Sequence, residues 1–159
     1  MSVTAPLGFT AAGLTAGLKP SGTKDLSLVV NNGPDTAVAA VYTSNRCKAN
    51  PVLWSEAAGA DGRARAVVLN SGGADCYTGD FGYETSRLTA ERAAQLLDTR
   101  PEDVLVCSTG LIGVGGQDFR DRIVGGLADL VAAAGGEAQH GEESAQAIKI
   151  GRASCRERV

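Results

Sequence analysis

Two apolar, β-prone runs in the sequence each end in small polar residues and glycine, and a helical pattern follows each run. The first is AVVLNSGGADCYTG over 66–79, and the second is VLVCSTGLIG over 104–113. The order strand, helix, strand, helix is typical of an α/β domain in which helices cover a sheet. Ligands of open α/β sheets bind beyond the carboxyl ends of the strands. The pattern therefore predicts a layered α/β sandwich with one shared site around 70–73 and 108–113.

Two further strands are predicted before the first of these runs. β-branched and apolar residues predict strands over 26–32 and 36–44, and the Gly33-Pro34 pair predicts a turn between them. Thr99 to Glu102 has the form of a capping box, which predicts a single capped turn before the run at 104.

Apolar periodicity predicts the helices. Alanines and a leucine spaced i, i+3, i+4 and i+7 predict a helix from roughly Asp80 to Leu97. A second helix ends at Gly135-Gly136 and has one apolar face: Phe119, Ile123, Leu127, Leu130 and Val131. The stretch EESAQAI over 142–148 begins a last helix.

The composition limits the kind of partner. A chain of 159 residues with a net charge of −3 is large enough for one domain. No basic run occurs before residue 149, so the sequence does not have the charge pattern of a protein that binds nucleic acid or an anionic membrane. The N-terminus has no secretory signal pattern, and no apolar run approaches the ~20 residues of a membrane span. We expect a cytoplasmic protein whose partner is a small molecule.

The cysteines do not form a metal-binding pattern. Cys47, Cys76, Cys107 and Cys155 lack CxxC spacing, and the single histidine, His140, lies in a polar segment. No metal site is expected. Cys47 and Cys107 border apolar runs and are predicted to be free, buried thiols, whereas Cys76 in the polar loop could also face a ligand.

The end of the chain differs in character from the rest. Residues 149–159, KIGRASCRERV, are basic and hydrophilic. Ile150 to Val159 matches, residue by residue, the translation of a short-read sequencing adapter, an origin that we favour over a native basic tail for acidic partners. Residues 1–148 are then the native part, the gene continues beyond Ile148, and catalytic residues are expected to be missing.

The glycine-rich segment 110–116 does not have the spacing of a phosphate-binding loop, because it lacks both a Gly-Lys-Ser/Thr ending and the G-x-G-x-x-G pattern. Thr109 and Gly110 fit an oxyanion hole better. A hydroxyl and a neighbouring backbone N–H can stabilise one oxygen that gains charge during acyl transfer. The local sequence alone favours a simpler role, in which Ser-Thr-Gly ends a strand and opens a turn.

The sequence shows no convincing nucleophile and base. A Ser-His-Asp or Cys-His arrangement would need His140, which no motif accompanies. Asp75 and Asp80 are candidate general bases, but a carboxylate after Gly-Gly is more often part of a turn. Either the domain is not an enzyme, or its nucleophile lies on a part of the protein outside this chain.

Taken together, ordered motifs over Val3 to Ile148 resemble the ornithine acetyltransferase family, also called the bifunctional arginine-biosynthesis enzymes. They are the opening VTAPLGFTAAGLTAGLKPSGTKDLSLVV, the stretch NRCKANPV over 45–52, the NSGG loop, the STGLIG segment and the closing AQAI. Several motifs in family order are far more specific than any one of them.

The resemblance implies an N-terminal-nucleophile-like acetyltransferase fold and a precursor that cuts itself into α and β chains. A threonine freed at the start of the β chain attacks an N-acetyl group, and its own α-amine acts as the base. Thr109 and Gly110 match the family's oxyanion-hole pair, and no metal or cofactor is implied. Acetyl passes from N-acetylornithine to glutamate in arginine biosynthesis, with acetyl-CoA as a further donor in some members. The resemblance also implies a cytoplasmic αβ heterotetramer. Because the nucleophilic threonine is missing from this chain, the chain alone is expected to be inactive.

Some features depart from the family pattern. Asp75 stands where the family loop usually carries Asn, and VGGQDF over 114–119 replaces a Leu-Pro-Met-like stretch. The family's Thr-Thr-Asp segment for substrate binding and its Gly-Thr cleavage point do not occur in these 159 residues. Two other classes stay open: a self-processing aminopeptidase of related fold, and a non-catalytic α/β ligand-binding domain.

Overall fold

A computed structural model describes residues 2–149, so the predicted adapter-derived segment lies outside the described residues except for Lys149. The centre of the fold is an open sheet with the strand order β1-β2-β3-β4. The strands are β1 Phe9–Leu14, β2 Leu26–Asn31, β3 Ala66–Gly73 and β4 Val104–Leu111. β2 pairs antiparallel with both β1 and β3, whereas β3 and β4 are parallel. The predicted α/β class is confirmed.

Four helices accompany the sheet: α1 Asn50–Ala58, α2 Gly79–Leu97, α3 Gln117–Ala132 and α4 Ala138–Ala147. Short 3-10 turns follow α1 at Gly59–Asp61 and precede β4 at Pro101–Asp103. Pro51 lies in the first turn of α1, where the N–H that proline lacks has no helical partner to lose. α2 is the crossover that joins the parallel strands β3 and β4, as such a connection requires.

α2 and α3 cover one face of the sheet. On that face the strands bury Leu26, Leu28, Val68 and Val104 almost completely. The helices contribute one apolar side each, and both sides follow the predicted periodicity: Ala90, Ala93, Ala94, Phe119, Ile123, Leu127 and Leu130. This layer is the main hydrophobic core.

α4 lies on the opposite face, above β1 and β2. Successive strand residues point to opposite faces, so Ser27, between Leu26 and Leu28, faces α4, where its hydroxyl lies 2.7 Å from that of Ser144. The hydroxyl of Ser71 in β3 donates to the carbonyl of Ala147 at 2.5 Å. Beyond α4, Leu105 of this face is buried in a second, smaller cluster with Ala58 and Ala64. The carboxyl end of β4 is open, and Leu111 there is 70% exposed.

α1 covers the first half of the outer edge of β4. The indole N–H of Trp54 donates to the carbonyl of Val104 at 3.0 Å. The hydroxyl of Ser55 accepts from the N–H of Val106 at 2.9 Å and donates to its carbonyl at 2.8 Å. Two side chains thus replace the neighbouring strand that an edge strand lacks. This protection ends at Val106.

Removing the Ser55 hydroxyl is expected to destabilise the chain. Ser55→Ala leaves the buried N–H and C=O of Val106 without partners, which costs about 1–3 kcal/mol. The midpoint of thermal unfolding should fall by roughly 4–8 °C for about 2 kcal/mol. Ser21→Ala removes an exposed hydroxyl whose one hydrogen bond within residues 2–149 is to Thr23, and it serves as the matched control. Equal midpoints for the two variants would contradict the role of Ser55.

The predicted strand over 36–44 is wrong. Thr36 and Val38 pair with the turn that follows α1, through the bonds Ala64 N–H to Thr36 O and Val38 N–H to Gly62 O, both 2.9 Å. This contact is one isolated bridge, and the segment does not join β2. Val41 is 99% exposed, so the apolar residues of this segment do not mark a buried face.

Two smaller predictions are wrong in detail. The turn before β4 forms, but Thr99 does not cap it, because its hydroxyl donates to Asp103 at 3.2 Å. Cys47 and Cys107 are free but exposed, and of the three cysteines within residues 2–149 Cys76 is the buried one. The predicted burial of Cys47 and Cys107 is therefore wrong.

Candidate active site

The two segments predicted to share a site do lie side by side. The parallel register places residues of β3 directly beside those of β4: Asn70 with Ser108, Ser71 with Thr109 and Gly72 with Gly110. The predicted neighbourhood is confirmed. The predicted turns begin later, because pairing continues to the ends of both strands and keeps Ser-Thr-Gly extended within β4.

The backbone N–H of Gly110 faces the unprotected edge of β4. Along a strand, the backbone groups of successive residues point to alternate sides. Val106 turns its groups outward to Ser55, whereas Leu111 turns its carbonyl inward, where it accepts from the N–H of Ala74 at 3.0 Å. Gly110 lies four residues after Val106 in the same strand, so the backbone groups of the two residues point to the same side. Its N–H therefore points outward, past the part of the edge that α1 covers.

The side chain of Thr109 projects from the open face of the sheet. Its neighbour Ser108 projects from the helix-covered face, where the hydroxyl donates to Asn70 Oδ1 at 2.6 Å. Thr109 is half-buried, and within residues 2–149 its hydroxyl makes no hydrogen bond with the protein. A free hydroxyl and an outward N–H therefore stand on adjacent residues.

Gly110 has no room for a side chain. Its φ of +138° lies in a region that side chains disfavour. A Cβ on Gly110 would lie 2.6 Å from the carbonyl carbon of Gly72 and 2.7 Å from the nitrogen of Gly73. The close approach of the two strand ends requires this glycine.

An apolar groove of about 310 Å³ adjoins the edge of β4. Val67 and Leu105 line it from the sheet, and it extends to Cys107 and Ser108, directly before Thr109. Its remaining walls are the segment 40–43 and the first residues of α1. The polar groups of the site thus have an apolar surface beside them.

Asp75, a candidate general base, is buried in the loop between β3 and α2. Its side chain is 2% exposed and accepts a hydrogen bond from Thr78 at 2.7 Å. Its carbonyl accepts from the backbone and side-chain N–H groups of Asn50. Burial raises the pKa of Asp75, opposed by hydrogen bonds from Thr78 and Ser86 and by the charge of Arg120. This carboxyl holds a loop together, in agreement with the turn interpretation.

We expect Asp75→Asn to stabilise the chain at neutral pH. The raised pKa means that the folded chain binds the proton more tightly than the unfolded chain. Its contribution to stability is therefore complete below the ordinary aspartate pKa and is lost as pH rises through the raised value. Asparagine keeps an acceptor for Thr78 and carries no charge. At pH 7 the unfolding midpoint should rise by about 2–4 °C, or about 1 kcal/mol.

Thermal unfolding between pH 4 and pH 8 checks this expectation, and the gain should shrink towards pH 4. Asp35→Asn, in an exposed loop, is the matched control, and its unfolding midpoint should depend on pH as that of the wild type does. A loss of stability in Asp75→Asn at pH 7 would show that the ionised carboxylate is required.

The other candidate residues lie elsewhere. Asp80 is exposed in the first turn of α2. His140 packs against Gly135, which pairs with Ala11 of β1 at the opposite edge of the sheet from β4. Among residues 2–149, no cluster of His, Cys, Asp or Glu side chains is placed to hold a metal ion. No helix of this described part is long and apolar enough to cross a membrane.

Sequence analysis missed α1, which determines where the open edge of β4 begins. The signal was Asn50-Pro51, because proline favours the first turn of a helix. The buried side of α1 consists of Pro51, Ser55 and Ala58, so no stripe of large apolar residues indicated it.

Comparison with known proteins relates the chain to one family. The model of the ArgJ family matches residues 10–151. The arginine biosynthesis bifunctional protein ArgJ of Streptomyces coelicolor is 55% identical over 150 residues, which are 94% of this chain and 38% of that protein. The ArgJ of Thermobifida fusca is 57% identical over 113 residues, 71% of this chain and 30% of that protein. The chain therefore spans well under half the length of these relatives.

Two solved structures have the same fold. Ornithine acetyltransferase from Mycobacterium tuberculosis, solved in complex with ornithine, superposes with a TM-score of 0.89 at 47% identity. The match covers 92% of this chain and 78% of that chain. ArgJ from Bacillus halodurans gives a TM-score of 0.86 at 31% identity, covering 93% and 75%.

Proposed function

The chain belongs to the ArgJ family, and on that premise we propose that it supplies the oxyanion-binding half of an enzyme that moves acetyl from N-acetylornithine to glutamate. One observation carries the proposal: the outward N–H of Gly110 and the free hydroxyl of Thr109 stand together at the unprotected end of β4. Preorganised donors at such a position stabilise the charge that develops on a carbonyl oxygen during acyl transfer.

The proposed reaction has two acyl transfers. A threonine hydroxyl from the remainder of the full-length protein attacks the acetyl carbonyl of N-acetylornithine, and the carbonyl oxygen becomes an oxyanion held by Thr109 and Gly110. Collapse breaks the bond to nitrogen, and ornithine leaves with the proton taken from the threonine. The amine of glutamate then attacks the acetyl-threonine ester and forms a second oxyanion at the same site. Collapse breaks the ester bond to the threonine oxygen, which regains a proton from the attacking amine, and N-acetylglutamate leaves.

The apolar groove beside β4 suits the aliphatic part of such substrates. Its lining contains no charged side chain, so it can accept methylene or methyl groups but holds no opposite charge for a carboxylate or ammonium group. The charged ends of the substrates are then bound by residues outside this groove. This division matches a site that is completed by a second polypeptide.

The remaining parts of the proposal concern the whole protein. We propose that residues 1–148 belong to an α chain, that a β chain from the same precursor carries the threonine, and that αβ units form a heterotetramer in the cytoplasm. Acetyl-CoA is a possible second donor. The open end of β4 is where the second chain completes the site.

Acetyl transfer by the full-length product of the gene tests the proposal. The source DNA is first resequenced beyond the codon for Ile148, and the complete protein is incubated with N-[¹⁴C]acetylornithine and glutamate. The expected products are labelled N-acetylglutamate and free ornithine, with no turnover by residues 1–148 alone. Labelled acetate as the main product would indicate a hydrolase of related fold. Binding without turnover, together with a confirmed stop codon after Val159, would favour the non-catalytic ligand-binding domain.

A further inference from the structure

Asp25 is a fully buried carboxylate that no positive side chain neutralises among the described residues. It precedes β2 and is 0% exposed. Its side chain accepts three backbone hydrogen bonds, from the N–H of Ala16 at 2.6 Å, of Leu18 at 2.7 Å and of Lys19 at 3.0 Å. A buried charge is costly unless such donors surround it. The carboxylate therefore fixes the backbone conformation of residues 16–19.

The segment that Asp25 fixes packs against the end of β3. At Gly72 a Cβ would lie 2.7 Å from the carbonyl oxygen of Leu18 and 3.2 Å from its Cβ. Gly72 has a φ of +114°, and because it has no side chain, the backbone of Leu18 can lie directly against it. Leu18 thus supports β3 from the side.

The same glycine of β3 contacts the candidate site. Gly72 pairs with Gly110, whose missing Cβ would lie 2.6 Å from the Gly72 carbonyl carbon. The backbone of Asp25 adds a second connection, because its carbonyl accepts from the N–H of Ser71, the partner of Thr109, at 2.8 Å. Two short paths therefore lead from Asp25 to Thr109 and Gly110.

We propose that Asp25 is a positioning residue for the candidate site, acting through Leu18 and Gly72 on the direction of the Gly110 N–H. The proposal rests on the function proposed above. Interactions within a packed core transmit small shifts, because such cores are nearly incompressible. The interaction of an oxyanion with its donors depends steeply on their placement.

Asp25→Asn tests the proposal in the full-length protein. The amide retains one acceptor oxygen but places an NH₂ group against at least one of the three N–H groups, so segment 16–19 loses its fixed conformation. We expect kcat per active site, counted by the acetyl-enzyme formed, to fall by up to about 10²-fold, the size of effect that a 1 Å misplacement produces. KM should change little. Asp35→Asn is the matched control and should keep the wild-type values.

Hydrogen–deuterium exchange of the same full-length variants gives a readout that does not depend on activity. We expect faster exchange in peptides that contain residues 69–73 and 108–111, with α2 and α3 unchanged. Faster exchange everywhere would indicate global destabilisation and overturn the positioning role. Unchanged kcat per active site in an active enzyme would also overturn it. If the wild-type enzyme transfers no acetyl, the proposed function fails, and the exchange pattern alone decides whether Asp25 positions the two strand ends.

Discussion

Thr109→Ala in the full-length protein is expected to lower kcat for acetyl transfer by about 10²–10³, the usual cost of one oxyanion-hole donor. KM should remain close to the wild-type value, because the hydroxyl acts on charge that exists only in the transition state. The hydroxyl of Thr109 makes no hydrogen bond to the described part of the protein, and the backbone pairing of Thr109 with Ser71 does not depend on it. The substitution should therefore leave the unfolding midpoint unchanged. Steady-state kinetics and thermal unfolding of the same samples measure both effects.

Two companion variants make this result specific. Thr109→Ser keeps a hydroxyl on the same backbone and should recover most of the activity. Thr23→Ala removes an exposed hydroxyl whose one hydrogen bond to the described residues is to Ser21, and should behave as wild type. A Thr109→Ala enzyme with wild-type kcat would exclude Thr109 as a donor to the oxyanion.

Gly110→Ala is expected to destabilise the chain by about 3 kcal/mol, from backbone strain and steric overlap together. The added Cβ would lie 2.6 Å from the Gly72 carbonyl carbon and 2.7 Å from the Gly73 nitrogen, so backbone rather than a mobile side chain would have to move. The φ of +138° adds strain that no shift of the neighbours relieves. The unfolding midpoint should fall by roughly 6–12 °C.

Gly125→Ala provides the matched control. Gly125 lies in α3, is exposed, and has nothing within 4 Å of a Cβ built on it. The same added methyl group should there stabilise the chain by about 0.5–1 kcal/mol, because alanine favours the helix over glycine. If both variants shifted the midpoint equally, the close packing of Gly110 against β3 would be disproved.

The sequence predicted those parts of the fold in which burial follows a regular period. Phe119, Ile123, Leu127 and Leu130 lie on the buried side of α3, as their spacing indicates. Residues 36–44 have an equally β-like composition, but β2, the strand they were predicted to form a hairpin with, is already paired on both sides by β1 and β3. Which distant segments pair depends on the whole fold, so local composition alone cannot predict it.

The sequence also placed Thr109 and Gly110 near 70–73, because parallel strands carry their ends to the same edge. It could not determine which backbone groups of β4 face outward. That direction depends on the phase of the strand relative to β3, and a shift by one residue reverses it. In the structure, the hydrogen bond from the N–H of Val106 to Ser55 of α1 shows which backbone groups of β4 point outward. The sequence did not predict α1, because this helix has no strong apolar stripe.

A crystal structure of the full-length protein with a phosphonate analogue of N-acetylornithine tests most directly whether Thr109 and Gly110 hold the charged oxygen. The phosphonate stands in for the tetrahedral intermediate. We predict one of its oxygens at about 2.7–3.1 Å from both the Gly110 nitrogen and the Thr109 hydroxyl oxygen. An analogue whose oxygens are bound by other groups, with Thr109 and Gly110 left facing water, would contradict the assignment of the oxyanion site to this chain.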